Sequence, residues 1–138
     1  MNFAVLAEAP LVVQVHLATV LPAFLIGSWS LFVSRPGSPA HRSAGRVFAV
    51  LMAITAATTV FIPSHFGFSV AAGPLRLSPI HLLIPLTLHG LWAGIGAIRA
   101  GQVEQHRAIM RRLYFGAIVI AGLFTLLPGR RLHHLLFM

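Results

Sequence analysis

Cysteine and lysine are both absent from the 138 residues, and the only acidic side chains are Glu8 and Glu104. Without cysteine there is no disulfide, no thiolate zinc site, no cysteine-ligated iron–sulfur cluster and no covalently attached c-type haem. Glu8 and Glu104 fall on opposite sides of the expected membrane, so there are no paired carboxylates and no Ser-His-Asp set with an available acid, and no glycine-rich phosphate loop occurs. Hydrolase and transferase chemistry are therefore not expected. Charged residues amount to 9%, against roughly 25% in a soluble domain. That fraction cannot cover a surface that faces water all round.

What is present is apolar. Hydrophobic residues make up 57% and the mean hydropathy is +0.87, so one membrane domain spanning 1–138 is expected. The net charge of +8 comes from arginines that flank apolar runs rather than forming a stripe, which suits a membrane interface and not nucleic acid. No basic residue precedes Arg35, so a secretory signal peptide with a charged leader is not expected.

Four runs, roughly 9–33, 42–63, 79–99 and 108–128, each approach the ~20 residues needed to cross a hydrocarbon core of ~30 Å. Ser78-Pro79 reads as a helix cap followed by proline in the first turn. RPGSPA (35–40) and AGQVEQ (100–105) read as short polar turns, and SHFGFSVAAGPLRL (64–77) as an amphiphilic segment lying along the membrane surface. Arg35, Arg42, Arg46, Arg99, Arg107, Arg111 and Arg112 belong to the two short turns and their flanks, whereas Arg76, Arg130 and Arg131 lie on the other side. This asymmetry predicts that the short turns face the cytoplasm of a bacterial inner membrane, with both termini periplasmic.

A shift of 65 residues aligns the two halves, approximately 14–64 and 79–129, without a gap. His16-Leu17 falls on His81-Leu82, His41-Arg42 on His106-Arg107, Arg46 on Arg111 and Pro63 on Pro128. The expected architecture is an all-α integral membrane protein, with four transmembrane helices arranged as two repeated hairpins in a bundle. Arg42 and Arg46, like Arg107 and Arg111, are spaced i, i+4, so each pair would meet anionic lipid headgroups. Gly90 and Gly94 in span three, and Ala49, Ala53, Ala56 and Ala57 in span two, provide small faces for close helix approach.

The histidines fall in layers. At ~1.5 Å per residue, His16 and His81 share a level near the outer face, and His41 and His106 share one near the inner face. A neutral imidazole from each of two helices can ligate a haem iron axially, so each pair is a candidate site for b-type haem, with Arg42 and Arg107 near the inner propionates. The layout is similar to that of two-haem b-type membrane cytochromes, in architecture only. The plain alternative for His41 and His106 is capping or headgroup contact at a helix start. His89 lies ~15 Å from Arg99, near the bilayer centre. It has no counterpart in the first half, where Phe24 stands, and its candidate roles are haem ligand, quinone hydrogen-bond partner or proton relay. A third reading gathers His16, His65 and His81 with the tail histidines into an outer-face metal site.

HL early in span one, HRxxGR opening span two, HRxxMRR opening span four and the closing LPGRRLHHLLF together resemble a bacterial family of small multi-span membrane proteins of unknown function. The likeness runs from His16 to Phe137. It implies a four-helix membrane protein and assigns no activity. Three functional classes remain open: intramembrane electron transfer with b-type haem, alone or together with quinone, a non-catalytic accessory subunit of a larger membrane complex or homo-oligomer, and a metal or small-solute transporter.

Overall fold

The computed structural model describes residues 4, 7–62, 70–72, 75–77 and 79–126. Helix α1 (Leu11–Phe32) and helix α2 (Pro39–Val60) are joined by a short turn in which Gly37 takes a positive φ of 81°. A side chain would oppose that conformation. Ser38 caps α2 by accepting a bond from the His41 backbone N–H at 3.1 Å, and Pro39 fills the first turn, where a missing N–H costs nothing. Strands β1 (Val70–Ala72) and β2 (Leu75–Leu77) pair antiparallel, with Ala71 opposite Arg76. A 3-10 turn, Pro79–Leu82, leads into α3 (Leu83–Arg99). After a second turn at Gly101, with φ 76°, the last rod runs through α4 (Val103–Leu113), a π-helical stretch (Tyr114–Ile120) and α5 (Ala121–Thr125).

The molecule is thus helical, with one small departure from the all-α expectation: part of the 64–77 segment pairs as a two-stranded ribbon. Its residues Val70, Leu75 and Leu77 suit strands. Helices α1 and α2 are long and apolar enough to cross a membrane, yet only 17% and 22% of their most apolar windows are buried within the chain. The core helix of a soluble protein would be mostly buried; these present their apolar side chains outwards. The other two expected spans are composite. One begins in the 3-10 turn and the other widens into the π stretch, so neither forms a single long α-helix among the described residues.

α1 packs on α2, α2 on α3, and α3 on α4, and the π stretch closes the ring against α1. One core cluster draws on every rod: Ala23 from α1, Phe48 and Met52 from α2, Leu91 from α3, and Leu113, Tyr114 and Ile118 from the last. Small residues let the rods meet. A Cβ added at Gly27 would lie 2.9 Å from Phe48 Cε2, and one at Gly94 would lie 2.9 Å from Met110 Sδ. Gly90 likewise faces Leu113. The GxxxG of the third span therefore receives the fourth rod.

Candidate functional site

Ring order places α1 diagonal to α3 and α2 diagonal to α4. His16 and His81 thus come from one diagonal, and His41 and His106 from the other. The core fills the middle of the bundle, leaving these imidazoles towards its two ends.

At the end of the bundle that carries the two short turns, His106 Nδ1 lies 2.7 Å from the Gly94 carbonyl. A carbonyl can only accept, so Nδ1 carries the proton and the neutral ring keeps a basic Nε2. His41 Nδ1 lies 2.7 Å from Ser34 Oγ, which is also 2.9 Å from the Ser30 carbonyl. With the serine proton directed to that carbonyl, His41 donates from Nδ1 as well. One turn before Ser34, the Ser30 hydroxyl is buried without a hydrogen-bond partner among the described residues. Such an orphaned group is uncommon and marks a place where a further polar partner fits.

At the opposite end, His16 sits in a threonine cluster shared by α1 and α2. Its Nδ1 lies 3.2 Å from the Thr55 carbonyl and 3.0 Å from Thr58 Oγ1. Thr58 can direct its own proton to the carbonyls of Ile54 or Thr55, so it accepts from the ring. Thr55 Oγ1 donates to Thr19 Oγ1 at 2.9 Å, tying the two helices directly. His81 is buried in the 3-10 turn at the start of α3.

His89 differs from the interior position its depth suggests. It lies on the outer face of α3, exposed, with its ring centroid 6.1 Å from that of Trp92. The reason is helical phase: Thr87, Leu91 and Gly94 face inwards, and His89 falls opposite them. Arg42, Arg46 and Arg111 are exposed, and Arg107 pairs loosely with Glu104 at 3.5 Å. Of the proposed outer metal set, His65 and the tail histidines lie outside the described residues. Among the described residues, no three histidine or acidic groups converge on one point.

Sequence reasoning missed Tyr114. It is the only tyrosine, it is buried in the core, and its hydroxyl bonds Ser28 Oγ at 2.6 Å. It stacks on Phe24 at 6.3 Å and meets Phe32 edge-on at 6.2 Å. Its signal was its position, a lone polar aromatic inside an apolar run.

No curated protein and no solved structure matches the chain. The family described as Predicted membrane protein (DUF2306) matches residues 13–136. With nearly the whole length matched, and with apolar helices that turn outwards, the chain belongs to this membrane-protein family of unknown function.

Proposed function

We propose that this protein is a small electron carrier of the bacterial inner membrane that binds b-type haem between diagonal helices. In this reading all four helical rods cross the bilayer as two repeated hairpins, the short turns face the cytoplasm, and both termini face the periplasm. One observation carries the proposal. His106 and His16, and by proton counting His41, commit Nδ1–H to a carbonyl or hydroxyl, leaving Nε2 as the free lone pair. That arrangement fixes the tautomer and ring orientation and raises the basicity of a ligating imidazole.

The donor set fits the group. Imidazole is a regular axial ligand of haem iron, and the inner layer adds an orphaned hydroxyl at Ser30. Haem, when bound, supplies a one-electron change at its iron. The chain's residues do the rest. His41 and His106 would hold the inner group and His16 and His81 the outer one. Ser34, Gly94 and the threonine cluster keep the rings oriented, and Arg42 and Arg107 balance propionate charge at the inner edge. The packed core between the layers excludes water. A quinone could exchange electrons at either end, with His89 as its hydrogen-bond partner if it approaches from the lipid.

The test is the spectrum of detergent-purified protein from cells with ample haem supply. The expected result is a Soret band, a positive pyridine haemochrome assay, and loss of signal in His41→Ala, His106→Ala, His16→Ala and His81→Ala. A colourless wild-type preparation would reject the proposal.

A second reading is favoured by the outer face of α3. Trp92 is 75% exposed beside exposed His89, and an ionisable side chain facing lipid at mid-span is rare. An accessory subunit would bury this face against a larger membrane complex. Near-stoichiometric co-purification that is lost in Trp92→Ala would support this reading.

A further inference from the structure

A groove of about 350 Å³ opens between α1 and α2, lined by Leu25, Ile26 and Trp29 on one side and Ser43, Ala44 and Val47 on the other. Its volume falls within the ~300–1,000 Å³ range of small-molecule sites. We infer that it binds one acyl chain of an anionic phospholipid whose phosphate is held by Arg42 and Arg46. This inference is independent of haem.

Position comes first. Trp29 lies one turn from the end of α1, and Ser43 one turn into α2. At ~1.5 Å per residue, the groove starts ~5 Å below the turn that joins the helices. Acyl chains begin at that depth beneath the headgroups. The lining is almost wholly apolar, with Ser43 offering one hydroxyl at the level of a glycerol ester. Trp29 is partly exposed, as befits an indole at the edge of the hydrocarbon.

Charge complementarity selects the lipid. Arg42 and Arg46 stand in the same turns of α2 as the groove lining, and both are exposed. Neither forms an ion pair with a described residue. In the second hairpin Arg107 has Glu104 at 3.5 Å, and the position 65 residues before Glu104 is Pro39. The first hairpin therefore lacks the carboxylate that the second one has.

The second hairpin carries smaller residues at the matching level. The counterparts of Leu25 and Trp29, 65 residues on, are Gly90 and Gly94. There the helices meet closely, with Leu113 and Met110 filling the space. In the first hairpin Leu25 and Trp29 stand at that level instead, exposed along one wall of the groove.

The experiment uses full-length protein reconstituted in nanodiscs of phosphatidylcholine with a minor share of phosphatidylglycerol, then released for native mass spectrometry. Wild type is expected to retain phosphatidylglycerol preferentially. Arg42→Gln with Arg46→Gln should cut this retention roughly thirtyfold, from the ~fivefold that each arginine contributes near an anionic lipid. Val47→Trp and Ala44→Leu, which fill the groove from exposed and half-buried positions, should each abolish retention in monodisperse protein. Arg112→Gln, at an exposed arginine outside both i, i+4 pairs, should leave it unchanged, and free glycerol phosphate should not displace the lipid. Retention that survives both groove-filling variants, falls equally in Arg112→Gln, or fails to discriminate phosphatidylglycerol from phosphatidylcholine would overturn the assignment.

Discussion

A methyl group at Gly27 would come 2.9 Å from Phe48 Cε2 and 3.0 Å from Tyr114 Cδ2, whereas one at Gly45 would meet nothing within 4 Å. Gly27→Ala should therefore destabilise the protein by about 1–3 kcal/mol through overpacking. Gly45→Ala should stabilise it by up to ~1 kcal/mol through helix propensity. Thermal midpoints in one detergent test the pair, and the reverse order would refute the packing described for α1. Tyr114→Phe keeps the ring contacts but removes the bond to Ser28, a loss of about 0.6 kcal/mol by the average for membrane hydrogen bonds. A loss several times larger in the same measurement would mean that the hydroxyl does more than tie two rods. The imidazoles give a spectroscopic test: in histidine-labelled protein, nitrogen-15 shifts should report the Nδ1–H tautomer for His16 and His106. An Nε2–H tautomer at either residue would remove the basis of the ligand assignment.

At the scale of elements, the cap of α2 sets where His41 stands. Ser38→Ala should cost about 1 kcal/mol, and Ser38→Asp should restore most of it. Amide exchange in the first turn of α2 would register both changes. This helix also marks how far letters alone can reach. The apolar run located this helix but started it at residue 42. The Ser-Pro signature at 38–39, the same one noted at 78–79, extends it to Pro39. The wide winding from Tyr114 to Ile120 left no such trace. It accompanies the seating of Tyr114 among residues of α1 distant in sequence, and local propensity does not encode that contact. The helix that carries His89 was legible but the direction of the side chain was not, because the inward face of α3 is chosen by its neighbours. The histidines could be singled out from the sequence, whereas their partners, Ser34, Gly94 and the threonines, required the packing.

For the whole molecule, the absence of cysteine becomes an experimental convenience. Single cysteines introduced by Pro36→Cys and Gln102→Cys, at exposed turn positions beside the two positive-φ glycines, have no background thiol to compete with. Under the proposed topology, an impermeant maleimide should label both only from the cytoplasmic side, and Glu8→Cys only from the periplasm. Labelling of positions 36 and 102 from opposite sides would break the two-hairpin arrangement, since the turns could not share one end of the ring.

The π-helical stretch has one more consequence. α2 winds regularly along its full length, while the rod that matches it 65 residues later loosens from Tyr114 onwards. Beyond that point, corresponding letters in the two halves no longer share a compass bearing around their axes. A substitution copied from Thr55 to Ile120 would thus land on a different side of its helix, and the 65-residue correspondence reaches further in the alphabet than it does in space.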